Sequence, residues 1–191
     1  RQYQILSGNS VQDGPALPLL RSLMPEEVLG ASFRVYIGVK GDKIIKKYQH
    51  RIPRKSEGYF LKIEKDCIVI AGADERGAYY GVQTLAQLLA LDKLPLAEVT
   101  DYPDVPYRGV VEGFYGAPWS QEACIRQLDF YGRNKMNVYI YGPKDDPYHR
   151  TPNWRKPYPA REGEELKVLV NRAKENNVIF YWAIHPGQDI R

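Results

Sequence analysis

The second half of the chain carries three short apolar runs separated by two helical patterns, and this alternation constrains the fold more than any other feature. Tyr107 to Phe114, Met136 to Tyr141 and Val178 to Ile184 read as strands, being rich in β-branched and aromatic residues. Between the first two runs, Ser120 can cap a helix whose Cys124, Leu128 and Tyr131 share one face, with Ile125 widening it. Between the second and third, Arg161 to Asn177 places Leu166, Leu169, Val170 and Ala173 at helical spacing. The order β-α-β-α-β predicts parallel strands joined by helical crossovers. The unbroken run "VIFYWAI" is what a strand covered on both faces should look like.

Each of these strands runs into polar and turn residues: "EGFYG", "GPKDDPYH" and "HPGQD". In a βα barrel the C-terminal strand ends build the active site, so the placement points to ligand-facing loops. A complete barrel takes ~250 residues, more than the 191 present. The expectation is therefore the first three strands of a (β/α)8 TIM barrel, or else an open doubly wound sheet.

The first half reads as a mixed α/β unit. "FRVYIGV", Phe33 to Val39, is a strand, and "EGYFLKIEKDCIVIAG", Glu57 to Gly72, is a hairpin turning at Glu64-Lys65-Asp66. A helix follows from Asp74, with Ala78, Val82, Leu85 and Leu89 on one stripe. The expected order is strand, helix, strand, helix, hairpin, helix, giving a sheet with helices on one face. "EVTDYPDVPYRG" has Pro103 and Pro106 and no periodicity, so the division falls there: residues 1–102 and 103–191.

Composition excludes several classes. A net charge of +4 with scattered basic residues does not suggest nucleic acid, which calls for a basic face. Lys43, Lys46 and Lys47 form the nearest cluster and read as a solvated helix face. No apolar run reaches the ~18 residues of a membrane span. Cys67 and Cys124 read as core residues rather than a disulfide, and His50, His149 and His185 lack metal-ligand spacing. The first residue is Arg1 rather than methionine, which fits a processed or excised chain.

The loops suit a hydroxylated ligand. Gly113 would let a ligand approach the backbone, although a bulge or tight strand end uses glycine too. Tyr115 and Trp119 could wall a pocket or simply pack between strand and helix, and Lys144 could donate to hydroxyls. Asp145-Asp146 is the acid pair that the residues alone nominate for glycoside hydrolysis, which usually needs two carboxylates. The competing reading is a pair of loop aspartates capping backbone before Pro147. Glu112 is a third acid, and His185 reads as a packed or backbone-bonded histidine.

"RGVVEGFYGAPWS", "YIYGPKDDPYH" and "WAIHPGQDI" closely resemble glycoside hydrolase family 84, the O-GlcNAcase-type β-N-acetylglucosaminidases, whose bacterial members are also labelled hyaluronoglucosaminidases. The segment "EGYFLKIEKDCIVIAGADERGAYYGVQTLAQLL" resembles the α/β domain that precedes the barrel there and in related hexosaminidases. The resemblance implies a hexosaminidase-like N-terminal domain followed by the start of a catalytic (β/α)8 barrel. It implies removal of terminal β-linked N-acetylglucosamine with retention, by a substrate-assisted route. In that route the 2-acetamido oxygen attacks the anomeric carbon to form an oxazoline. One aspartate orients the acetamide, and its neighbour serves as general acid and then base. No metal or cofactor takes part.

By the same resemblance Gly113 matches a glycine whose backbone contacts the sugar, Tyr115 an aromatic lining the pocket, and Lys144 a lysine binding hydroxyls. The catalytic aspartates match no position, because in the family they follow the fourth barrel strand. Asp145 and Asp146 match instead the segment "PKDDPYH", where they shape the loop beside Lys144. This chain alone is therefore expected to be inactive and to bind N-acetylglucosaminides weakly. The implied location is the periplasm or exterior of a bacterium. The alternative is a non-catalytic carbohydrate- or protein-binding module, and the open barrel edge admits self-association.

Overall fold

A computed structural model describes residues 2–113, 115–150 and 152–187. The chain divides into two compact units, Arg1–Pro106 and Tyr107–Arg191.

In the first unit, β1 (Tyr3–Ser7), β2 (Phe33–Val39), β3 (Tyr59–Ile63), β4 (Cys67–Gly72) and β5 (Ala97–Asp101) form one sheet in the order β1-β2-β4-β3-β5. β1, β2 and β4 run parallel, while β3 is antiparallel to both β4 and β5. Two helices, α1 (Ala16–Leu23) and α2 (Glu75–Leu89), pack their apolar stripes on one face. α2 begins where Asp74 accepts the Gly77 N–H, a side-chain N-cap.

Two expectations fail in this unit. Ala97–Asp101 lies in the stretch expected to lead into the linker, yet it pairs along β3 as an edge strand. Its alternation of half-buried and exposed residues is too short to register as a period. The sheet is also covered on both faces. A 3₁₀ segment, Lys43–Arg51, lays Ile45 against Phe60, Val69 and Ala71, while Lys43, Lys46 and Lys47 remain exposed.

The second unit is β6 (Gly109–Glu112), α3 (Gln121–Arg133), β7 (Val138–Tyr141), α4 (Ala160–Glu175) and β8 (Ile179–Trp182). The three strands are parallel in the order β6-β7-β8. The crossovers place α3 and α4 over one face, where Cys124, Leu128 and Tyr131 meet Tyr139, Tyr141, Leu169, Ala173 and Val178. Arg172 reaches from α4 to Asp129 on α3 through two hydrogen bonds of 2.6 and 2.9 Å, fixing the helix pair.

The expectation that β8 is covered on both faces fails. Tyr181 and Trp182 are exposed, because β8 is an outer strand and packs on helices from one side only. Val170, assigned to the apolar stripe of α4, is likewise exposed. Cys67, read as core, is only half-buried and lies 3.4 Å from Glu64. Cys124 is buried, as expected.

Candidate functional site

The parallel register brings the three strand ends into one row, Glu112 beside Tyr141 beside Trp182. The ladder continues one step beyond: the Gly142 N–H donates to the Glu112 carbonyl at 2.9 Å, and the Ala183 N–H to Tyr141 at 2.8 Å. The loops carrying Gly113 and Lys144 thus leave the sheet side by side. Strand alternation then assigns their faces. Tyr139 and Tyr141 point into the helix layer. Val111 and Tyr181, which share a row with Ile140, are on the open face, Val111 with 63% of its surface exposed.

Gly113 belongs to the open side. Among the described residues, a Cβ built there would meet only Val111 Cγ1, at 3.3 Å. Its φ is not in the left-handed region, so neither backbone conformation nor close packing demands glycine at this position. Gly116, by contrast, has φ 109°, which only glycine adopts without strain. Tyr115 is 84% exposed. Phe114, and Gln188 and Asp189 of the third loop, lie outside the described residues.

Glu112 is fully buried, and its side chain faces the helices. One carboxylate oxygen accepts the Trp119 backbone N–H at 2.9 Å, and the other accepts the hydroxyl of Tyr139. Cys124 Sγ is 3.9 Å from the same carboxylate. Burial, reinforced by that carboxylate, raises the Tyr139 phenol far above the ordinary tyrosine range. Burial also pushes the Cys124 thiol to about 11, so this cysteine is not a thiolate at neutral pH.

Asp145 and Asp146 do not share an environment. Asp145 is exposed, whereas Asp146 is buried and accepts three hydrogen bonds. These come from Tyr141 Oη at 2.7 Å, Tyr158 Oη at 2.9 Å and the Tyr148 N–H at 2.8 Å. The Tyr158 oxygen also accepts from Trp182 Nε1 at 3.0 Å, tying this loop to β8. The two aspartates nonetheless line one cavity of the second unit, Asp145 as an exposed residue and Asp146 as a buried one whose carboxylate is engaged in these hydrogen bonds. Lys144, on the same loop, is half-buried.

His185 is exposed, and its backbone N–H donates to the His149 carbonyl at 2.6 Å, so it is held through backbone. His149 is buried, with neither ring nitrogen in hydrogen-bond geometry among the described residues. Burial lowers its pKa, against the opposing pull of Asp146 and the Pro143 backbone.

Beside these loops, a cavity of about 350 Å³ is lined by Trp119, Tyr141, Asp146, Tyr148, Tyr158 and Leu166 among others. None of Gly113, Tyr115 and Lys144 lines it. A larger cavity, about 730 Å³, lies in the first unit and shares no residue with the strand ends.

Tyr139, Tyr141 and Tyr158 are the residues that sequence reasoning missed. Tyr139 and Tyr141 alternate onto one face of a buried strand, where each hydroxyl needs a partner. That requirement was the available signal.

Residues 108–191 match the beta-N-acetylglucosaminidase family, and residues 30–102 match domain 2 of glycosyl hydrolase family 20. The protein O-GlcNAcase of Rattus norvegicus is 44% identical over 82 residues, which are 43% of this chain and 9% of that protein. A beta-hexosaminidase of Vibrio vulnificus is 36% identical over 95 residues, 49% of this chain and 11% of its own length. Among solved structures, CpGH84B superposes on the whole chain with a TM-score of 0.88 and 38% identity, over 34% of its own length. CpGH84D gives a TM-score of 0.83 at 27% identity, covering 97% of this chain and 34% of that one. The chain thus spans about a tenth of these curated relatives and a third of the solved structures. With both domain types in order and a fold shared along its whole length, the chain belongs to glycoside hydrolase family 84 and corresponds to its N-terminal portion.

Proposed function

We propose that the protein carrying this chain removes terminal β-linked N-acetylglucosamine by a retaining, substrate-assisted mechanism. In this reading residues 1–102 are the leading α/β domain, and residues 103–191 open a catalytic (β/α)8 barrel. The observation that carries it is the match of residues 108–191 to the beta-N-acetylglucosaminidase family, on a unit whose parallel strand ends align their loops. The barrel reading is supported by the open face of β6–β8, whose exposed Val111 and Tyr181 would turn inward on closure.

The site follows from the faces. Gly113, where a Cβ would meet the exposed Val111 side chain at 3.3 Å, lets the sugar reach the backbone. Tyr115, largely exposed, supplies an aromatic wall, and Lys144 from the adjacent loop donates to hydroxyls. Glu112 and Asp146 face the helices and are already committed to hydrogen bonds, which disfavours either as acid or base. The oxazoline-forming step is assigned to an aspartate pair outside these residues, one polarising the acetamide and the other protonating the leaving oxygen.

Hydrolysis of an aryl β-N-acetylglucosaminide tests the reading. The full-length protein is expected to turn it over and the 191-residue chain is not. Turnover by the short chain, abolished by Asp145→Asn, would return the chemistry to the "PKDDPYH" loop. A full-length protein that binds N-acetylglucosamine without hydrolysing it would be a binding module instead.

A further inference from the structure

We propose that Glu112 and Tyr139 are positioning residues. They fasten the loop Tyr115–Trp119 to β7 from the helix side and so set the sugar-facing loop without touching the ligand. The inference rests on the reading above for what the loop binds, but the fastening stands on its own geometry.

Glu112 is the last residue of β6, and its carboxylate takes the Trp119 N–H seven positions later. The loop is therefore closed on the acid that begins it. Glu112 would gain nothing from this if it could rotate away, and Tyr139 prevents that by donating to the second carboxylate oxygen. Tyr139 is itself wedged against Tyr131 and Phe180, with ring centroids 6.0 and 5.4 Å away. The chain of constraint runs from core aromatics to a phenol, to a carboxylate, to a loop amide. Ser120 then caps α3 by accepting the Ala123 N–H, so the loop's far end passes directly into a helix. Low dielectric strengthens each bond and makes a missing partner costly.

Four variants separate positioning from bulk stability. In Tyr139→Phe the carboxylate keeps its loop amide and the weak Cys124 thiol contact but loses the phenol. In Glu112→Leu both acceptors vanish. In Glu112→Gln the amide oxygen can still accept from Trp119 while its NH₂ donates to the Tyr139 oxygen. Leu128→Ala removes core volume under α3, away from the loop.

Hydrogen exchange of the peptide covering residues 115–120 reads the fastening directly in the full-length protein. Tyr139→Phe and Glu112→Leu are expected to speed it at least tenfold, with Glu112→Gln near wild type. Leu128→Ala should lower the melting temperature without selectively opening that peptide. In the aryl glycoside assay kcat/KM should fall about tenfold or more in Tyr139→Phe, since a 1 Å misplacement costs ~10²-fold. It should remain near wild type in Leu128→Ala.

Unchanged exchange in Tyr139→Phe and Glu112→Leu overturns the fastening. Faster exchange with wild-type kcat/KM overturns the positioning role. A wild-type protein without turnover sinks the glycosidase reading, and the exchange arm still decides whether the loop is fastened.

Discussion

The Trp119 backbone N–H lies 2.9 Å from the Glu112 carboxylate, joining the two ends of the loop that follows the first parallel strand. A parallel arrangement holds the next loop, where Asp146 accepts the Tyr148 N–H two residues on. Both carboxylates take a second bond from β7, Glu112 from Tyr139 and Asp146 from Tyr141. One strand thus references both loops, and both acids are spent on structure.

Asp146→Asn and Asp145→Asn should diverge sharply. The carboxamide introduced by Asp146→Asn would have one acceptor oxygen for three donors, and the loss of a buried charged acceptor is expected to cost about 2 kcal/mol. Asp145 is exposed, so its change should be within about 0.5 kcal/mol. Urea unfolding of the pair checks this. A fall in turnover of ~10²-fold or more in Asp145→Asn at unchanged stability would instead mark a proton-transfer role.

Gly113→Ala should affect binding far more than folding. Among the described residues a Cβ there meets only the exposed Val111 side chain, at 3.3 Å, which can shift. Stability is expected to change by under about 0.5 kcal/mol. Affinity of the full-length protein for N-acetylglucosamine, by calorimetric titration, should fall about tenfold, equivalent to about 1.4 kcal/mol. Unchanged affinity would remove Gly113 from the site.

High pH should loosen the second unit before it affects an ordinary domain. Burial holds the Tyr131 phenol up to about 12, and burial with carboxylate neighbours raises Tyr139, Tyr141 and Tyr158 as well. An unperturbed tyrosine titrates near 10.0. The folded state therefore binds the proton more tightly than the unfolded state. The stabilisation is complete below pH 10 and declines as pH rises from there through about 12. The urea midpoint should drop over that window together with growing phenolate absorbance, and Tyr139→Phe should flatten the slope.

Arg172→Lys tests the fastening of α3 to α4. The guanidinium makes two bonds to Asp129, and Asn176 Nδ2 makes a third at 2.9 Å. Lysine cannot reproduce the fork. The pair is partly exposed, so screening limits the expected loss to about 1 kcal/mol. A double-mutant cycle with Asp129→Asn measures it.

Much of the architecture is determined locally and so was legible in the sequence. Phe33–Val39 and the hairpin through Glu64–Asp66 read directly, as did the helix following Asp74 and the Ser120 cap. The β-α-β-α-β order also read directly, because side-chain period and capping chemistry belong to neighbouring residues. The alignment of the strand-end loops followed from that order. Tertiary structure alone decided the rest. Ala97–Asp101 becomes a strand only because β3 offers an unpaired edge, and β8 is half-covered because helices pack on one face of its sheet. The environments of the acids were also decided there. Adjacent in sequence, Asp145 and Asp146 part into solvent and core, while Glu112 meets a tyrosine 27 residues away. Which carboxylate is free for a ligand depends on the donors packed around it, and those come from distant strands and helices that no local pattern encodes.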